Sequence, residues 1–157
     1  MKRGAASAAT ERAFERRVDA LDDIFAFTRE AFTHLKIDPS LLLAIDFTIE
    51  ELFTNMVKYS KMSHAAVDVA IGQIAGGVEV TLTDHDVDPF DLTQAPDVDV
   101  HKPIGERAPG GLGLHLIRRM VDSIEYEHDR NLRRSRIRFR KTLPGRHADG
   151  DQTNKGE

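Results

Sequence analysis

The spacing of apolar residues changes along the chain, and each change predicts an element. From Asp19 to Leu35 they recur at intervals of three and four, with Leu21, Ile24, Phe25, Phe27, Phe32 and Leu35 on one side, as in an amphipathic helix. The stretch "RAFERRV" (Arg12 to Val18) reads as a strand leading into it. Asp38 followed by Pro39 is a helix start. A short carboxylate can accept from the first free N–H groups, and proline's fixed φ suits the first helical position. The helix it opens should run to about Tyr59, with Leu42, Ile45, Ile49, Leu52, Phe53 and Met56 forming its apolar stripe.

Beyond Tyr59 the period falls to two. "AAVDVAIGQ" and "VEVTLTD" alternate on either side of a glycine turn, which predicts a hairpin over Val67 to Asp84. Asp86 to Gly110 has neither period and is rich in prolines and acids. A loop of that length is commonly a lid, a binding loop or a disordered segment. "GGLGLHLIRRMVD" then reads as glycines opening a helix, with Leu114, Ile117 and Val121 on its buried side. "SIEYEH", a turn at Asp129 to Asn131, and "RRSRIRFRKTL" complete a second hairpin. The order β-α-α-β-β-α-β-β predicts an α/β fold, a two-layer sandwich with helices on one face of a mixed, mostly antiparallel sheet. One domain over residues 11–143 is expected, with 1–10 and 144–157 as flexible polar tails.

Composition narrows the function classes. A chain of 157 residues suffices for one domain with a real core. The net charge of −4 gives no global case for nucleic-acid binding. The alternating Arg134, Arg136, Arg138 and Arg140 read instead as one solvent face of a strand, which at a sheet edge would also discourage stray pairing. With no cysteine, disulfide scaffolds and thiolate chemistry are excluded. No apolar run has the length of a membrane span, and the basic start "MKRGAASAAT" lacks the apolar segment of a signal peptide, so a cytoplasmic protein is expected.

Three clusters invite chemistry. Glu51 and Asn55 are neighbours one helical turn apart, off the apolar stripe. Such a pair is usually a solvated flank, and the spacing also allows a hydrated Mg²⁺ held by the amide with the carboxylate free as a base. "GGLG" at 110–113 opens a helix whose amides can approach an anion. It is neither a Walker A loop nor the dinucleotide fingerprint, because no Gly-Lys-Ser/Thr follows and Leu116 stands at the third glycine. Asp84, Asp86 and Asp88 suggest calcium, but an EF-hand loop would then need glycine and glutamate where Pro89 and Ala95 stand. The histidines show no i,i+4 pair, so zinc has no support.

Taken in order, "EELFTNMVKYS", a hairpin ending "VTLTDHDVDPFD", a long loop and "GGLGLHLIRRMVDSIEY" resemble the GHKL ATPase superfamily. Within it they look most like the RsbW-type anti-sigma-factor serine-protein kinases. The resemblance implies a Bergerat sandwich that binds ATP and Mg²⁺. It also implies that Glu51 is the general base and Asn55 the Mg²⁺ ligand, with Asp84 the acceptor of the adenine amino group. Gly110, Gly111, Gly113 and Leu114 would form the second glycine box at the phosphates, and the loop from Asp86 to Gly110 the ATP lid. Asp86 replaces the glycine of the family's D-x-G and would lie close to the nucleotide. Pro109 and Gly110 stand where many relatives carry a basic residue, leaving Arg107 and Lys102 as possible phosphate partners. The implied partners are an anti-anti-sigma protein as substrate, a sigma factor or similar regulator, and a second copy in a homodimer. Two other functions fit the same residues: an ATP-binding interaction module with little transfer activity, and the ATP-binding domain of a histidine kinase. Against the histidine kinase, Glu51 occupies a position where that group usually has another asparagine.

Overall fold

The computed structural model describes residues 8–91 and 111–145. Its elements are β1 (Ala9–Phe14), a 3-10 turn (Val18–Ala20), α1 (Leu21–Leu35), a second 3-10 turn (Pro39–Leu41), α2 (Leu42–Tyr59), β2 (Val67–Ile74), β3 (Gly77–His85), α3 (Gly111–Met120), β4 (Ser123–Asp129) and β5 (Arg134–Thr142). The strands form one sheet in the order β1-β2-β3-β5-β4, with every neighbouring pair antiparallel. This is the expected α/β architecture, with no parallel pair among the described strands.

The start of α2 and the end of α1 have local reasons. The Asp38 carboxylate accepts from the Ser40 N–H at 2.9 Å, with Pro39 beside it, so the chain enters α2 through the predicted start. Helix α1 ends where Lys36 takes a left-handed conformation (φ 56°) and Ile37 N–H donates back to the Phe32 carbonyl at 2.9 Å. The α2 stripe is buried as its spacing requires, with Ile45, Ile49, Leu52 and Phe53 fully enclosed. They pack on Val69, Ile71, Val80, Leu82, Ile137 and Phe139, the inward positions of β2, β3 and β5. Each such side chain contributes about 1.5–3 kcal/mol by leaving water.

Two expectations change. The first strand covers Ala9–Phe14, earlier than Arg12–Val18, and so begins ahead of the expected domain start at Glu11. Its ladder runs from Ala9 opposite Gly72 to Phe14 opposite Val67, the first residue of β2, so no partner strand extends further. The arginine strand β5 is also no edge, because it lies between β3 and β4. Its arginines meet acids on the neighbouring strands: Arg140 Nε is 2.6 Å from Glu79 Oε2, and Arg136 reaches Glu127 at 3.5 Å. Cross-strand neutralisation explains the alternation without a nucleic-acid partner. Among the described residues, no helix is long and apolar enough to cross a membrane.

A half-buried acid, Asp46, lies between α1 and α2. The Thr28 hydroxyl sits 2.7 Å from Asp46 Oδ1. Burial pushes the Asp46 carboxyl above its ordinary value, opposed by the Thr28 hydrogen bond and the Arg29 charge and reinforced by Glu50. The folded state therefore holds this proton more tightly than the unfolded chain does. Its contribution to stability falls as pH rises from the unfolded to the folded pKa and stays low above that window. Asp46→Asn keeps an acceptor for Thr28 and removes the charge. It should melt at a higher temperature than the parent at pH 7, with the difference shrinking toward acid pH. A variant that is less stable at neutral pH would show that the carboxylate charge itself holds the helices together.

Candidate functional site

The expected residues converge where the C-terminal half of α2, the end of β3 and the start of α3 meet. Asn55 is 3% exposed although it lies off the apolar stripe, and Glu51 is half-buried. The Asn55 amide donates to Glu51 Oε1 at 3.2 Å. That bond orients the amide and leaves its carbonyl oxygen as the acceptor end, the atom a hard divalent cation would use. Asn55 is thus enclosed with Glu51 half-buried beside it, and the solvated-flank alternative does not describe Asn55.

Helix α3 closes over the same carboxylate. A β-carbon built on Gly113 would fall inside the Glu51 carboxyl group, so glycine is what lets the first turn of α3 come this close. Carboxylates are favoured near a helix N-terminus, which gives the approach an electrostatic reason as well. Leu114, the neighbour expected in the glycine box, has its side chain buried in the hydrophobic core. Gly111 opens α3. Lys102, Arg107, Pro109, Gly110 and most of the expected lid lie outside the described residues.

Asp84 stands at the end of β3 and is 3% exposed. Its Oδ1 is paired with Arg16, and the Ser60 hydroxyl lies 3.4 Å from its Oδ2. Asp84 and Asn55 line one narrow cleft, walled by Met56, Tyr59, Val87, Phe90 and Ile137. A buried acceptor in a cleft with apolar and aromatic walls on part of its lining suits a flat base carrying an amino group. As it stands the cleft encloses about 20 Å³, room for roughly one water, so a base needs Phe90 and Tyr59 to part. These rings meet at the mouth with centroids 5.5 Å apart. Phe90 N–H donates to the Tyr126 hydroxyl at 2.9 Å, and that hydroxyl lies 3.3 Å from Ser135 Oγ.

Asp86 does not join this group. Its backbone is left-handed (φ 56°), the conformation that glycine adopts freely, and its exposed carboxylate pairs with Arg133 at 3.6 Å. The side chain therefore faces the β4–β5 turn and does not line the cleft. Asp86→Gly should leave nucleotide affinity within about twofold, since an exposed, screened charge contributes little. Stability should change little, because the relief at positive φ offsets a weak ion pair. Calorimetric titration and melting of both proteins check this, and a tenfold change in affinity would return Asp86 to the nucleotide site.

Sequence reasoning missed Arg16, Ser60, Tyr126 and Ser135. Ser60 is the last residue of the quoted α2 motif and was within reach. The other three depend on the packing of separate elements and left no local signal.

Residues 14–141 match the histidine kinase-like ATPase domain, and the chain belongs to that family. Comparison with curated protein sequences finds no match. Among solved structures, the chain resembles the crystal structure of the RsbU and RsbW domains of a Mycobacterium tuberculosis protein. The likeness has a TM-score of 0.60 and 15% identity, covering 87% of this chain and 33% of that one. It also resembles a chain of the SiaB–SiaC complex from Pseudomonas aeruginosa, with a TM-score of 0.52 and 16% identity over 85% of this chain and 89% of that one. At such identities the likeness is one of fold. The chain spans about a third of the mycobacterial one.

Proposed function

We propose that the protein is an ATP-dependent serine-protein kinase that doubles as an anti-sigma regulatory factor. It would phosphorylate an anti-anti-sigma protein, capture a sigma factor or similar regulator, and work as a homodimer in the cytoplasm. The observation that carries the reading is the shared cleft: buried Asp84 at one end, and Asn55 one turn from Glu51 on the adjoining helix. The likeness in fold to a solved chain that carries RsbU and RsbW domains adds support for the regulatory half.

Each role follows from the chemistry of its group. Asp84 accepts from the base amine through the oxygen turned away from Arg16. The Asn55 carbonyl oxygen would hold Mg²⁺, which when bound neutralises phosphate charge. Glu51, oriented by the Asn55 amide and covered by α3, accepts the proton of the incoming serine. The glycine-opened turn of α3 directs backbone N–H groups toward phosphate oxygens.

Titrating ATP with and without Mg²⁺ tests the site, and label transfer from γ-labelled ATP to serine of a purified anti-anti-sigma protein tests the activity. ATP with Mg²⁺ should raise the melting temperature by mass action, and Asn55→Ala should weaken both binding and transfer. An unchanged melt at millimolar ATP would overturn the nucleotide site. The narrow cleft favours a second reading, a nucleotide-responsive interaction module with little transfer activity. Binding without label transfer would select it.

A further inference from the structure

Arg16 lies between β1 and the first 3-10 turn, and its side chain is 6% exposed. Each guanidinium nitrogen has an acceptor. Nε donates to the Ala65 carbonyl at 3.3 Å, one terminal nitrogen to the Met56 carbonyl at 3.2 Å, and the other to Asp84 Oδ1. These acceptors belong to the loop after α2, the last turns of α2 and the end of β3. Arg16 lines an outer depression with Glu15, Arg17, Lys61 and His64 and is absent from the cleft wall. It therefore reaches Asp84 from behind, on the oxygen that faces away from Ser60.

We infer that Arg16 is a positioning residue for base recognition: it holds the Asp84 carboxylate with one acceptor oxygen aimed into the cleft and so sets the choice between amino and carbonyl purines. This rests on the reading of Asp84 as the base acceptor. The guanidinium is a rigid plane, and here one terminal nitrogen holds the carboxylate while the other two nitrogens are tied to backbone carbonyls. Releasing it would leave buried charge uncompensated, so it stays in place when a base arrives. A competitor of the base would have to stand in the cleft, and Arg16 does not. With Oδ1 held by Arg16, Oδ2 is the oxygen left to face the cleft, where the Ser60 hydroxyl at 3.4 Å leaves it room for a second donor. It accepts from the adenine amine and repels the hypoxanthine carbonyl. The same clamp makes an unusual demand on Asp84→Asn. Arg16 would hold the amide oxygen, turn the amide NH₂ into the cleft, and invert the preference toward the carbonyl purine.

Calorimetric titration of ATP and ITP, each with Mg²⁺, tests this on the intact chain. The parent should prefer ATP by roughly tenfold or more, the effect of one unpaired polar contact. Asp84→Asn should prefer ITP. Arg16→Met should lose the ATP preference while ITP affinity stays within about twofold, a split that general loosening of the fold would not produce. Arg16→Lys, which keeps the charge but not the rigid plane, should fall between the two. In the double variant Arg16→Met/Asp84→Asn the inversion should vanish. If Arg16→Met does not melt cooperatively, the ATP-to-ITP ratio of Arg16→Lys decides in its place. A parent-like ratio in the deciding Arg16 variant, while Asp84→Asn has lost the ATP preference, would overturn the inference and leave the base reading standing. Tighter ATP binding in that variant would make Arg16 a competitor and also overturn it. Equal binding of ATP and ITP by the parent, unchanged in Asp84→Asn, would remove the base reading and the inference together.

Discussion

Gly113→Ala is expected to remain folded and to lose phosphoryl transfer by about 100-fold, the scale of a misplacement near 1 Å. The new methyl group would occupy the volume of the Glu51 carboxyl group, which is the far end of a flexible side chain and can swing aside. Helical alanine is favoured over glycine by up to about 1 kcal/mol, so the melting temperature should hold or rise slightly. Thermal melting and single-turnover ADP formation from ATP with Mg²⁺ give the two readouts. Wild-type turnover would show that the α3 contact has no part in placing Glu51. A large drop in melting temperature would make the contact one of packing.

Glu51→Gln should cost more in the same assay, on the order of 10²–10⁴-fold, because an amide cannot take the serine proton. Its carbonyl oxygen can still accept from Asn55, so the bond that orients the metal-facing amide is preserved. ATP affinity should stay within a few-fold of the parent, since a general base acts mainly in the transition state. The two variants separate the proton from its placement. Gln holds the geometry and removes the base, whereas the alanine at 113 keeps the base and displaces it. Full transfer activity in Glu51→Gln would end the assignment of Glu51.

How much of this was legible beforehand differs by residue. The burial of Ile45, Ile49, Leu52 and Phe53 follows from a spacing that any helix would turn toward a core. Asp38 and Pro39 announce their own turn. Asp84 was readable as the end of an alternating strand, although its burial was not. Asn55 shows where such reading stops. By helical angle it belongs to a polar flank, yet it is enclosed, because α3 and the chain after β3 cover that side of α2. Asp86 is the converse case: its place in a family motif suggested the nucleotide site, and a positive φ turns it out to Arg133.

The sequence by itself determined the helices, their starts, the two hairpins and the α/β layering, since these rest on interactions within a few residues. It also held the motifs whose resemblance to a family implies roles for Glu51, Asn55, Asp84 and Gly113. Only the tertiary structure decided the strand order, with β5 inside and β4 at the edge, because that order depends on how a long connection returns to the sheet. Only the tertiary structure set the glycine of α3 against Glu51 and closed the cleft to the volume of about one water. It alone brought Arg16 to Asp84 across 68 residues of chain. A contact at that separation leaves no periodicity behind, and it forms when β1 docks on β2 and fixes where the next side chains can reach.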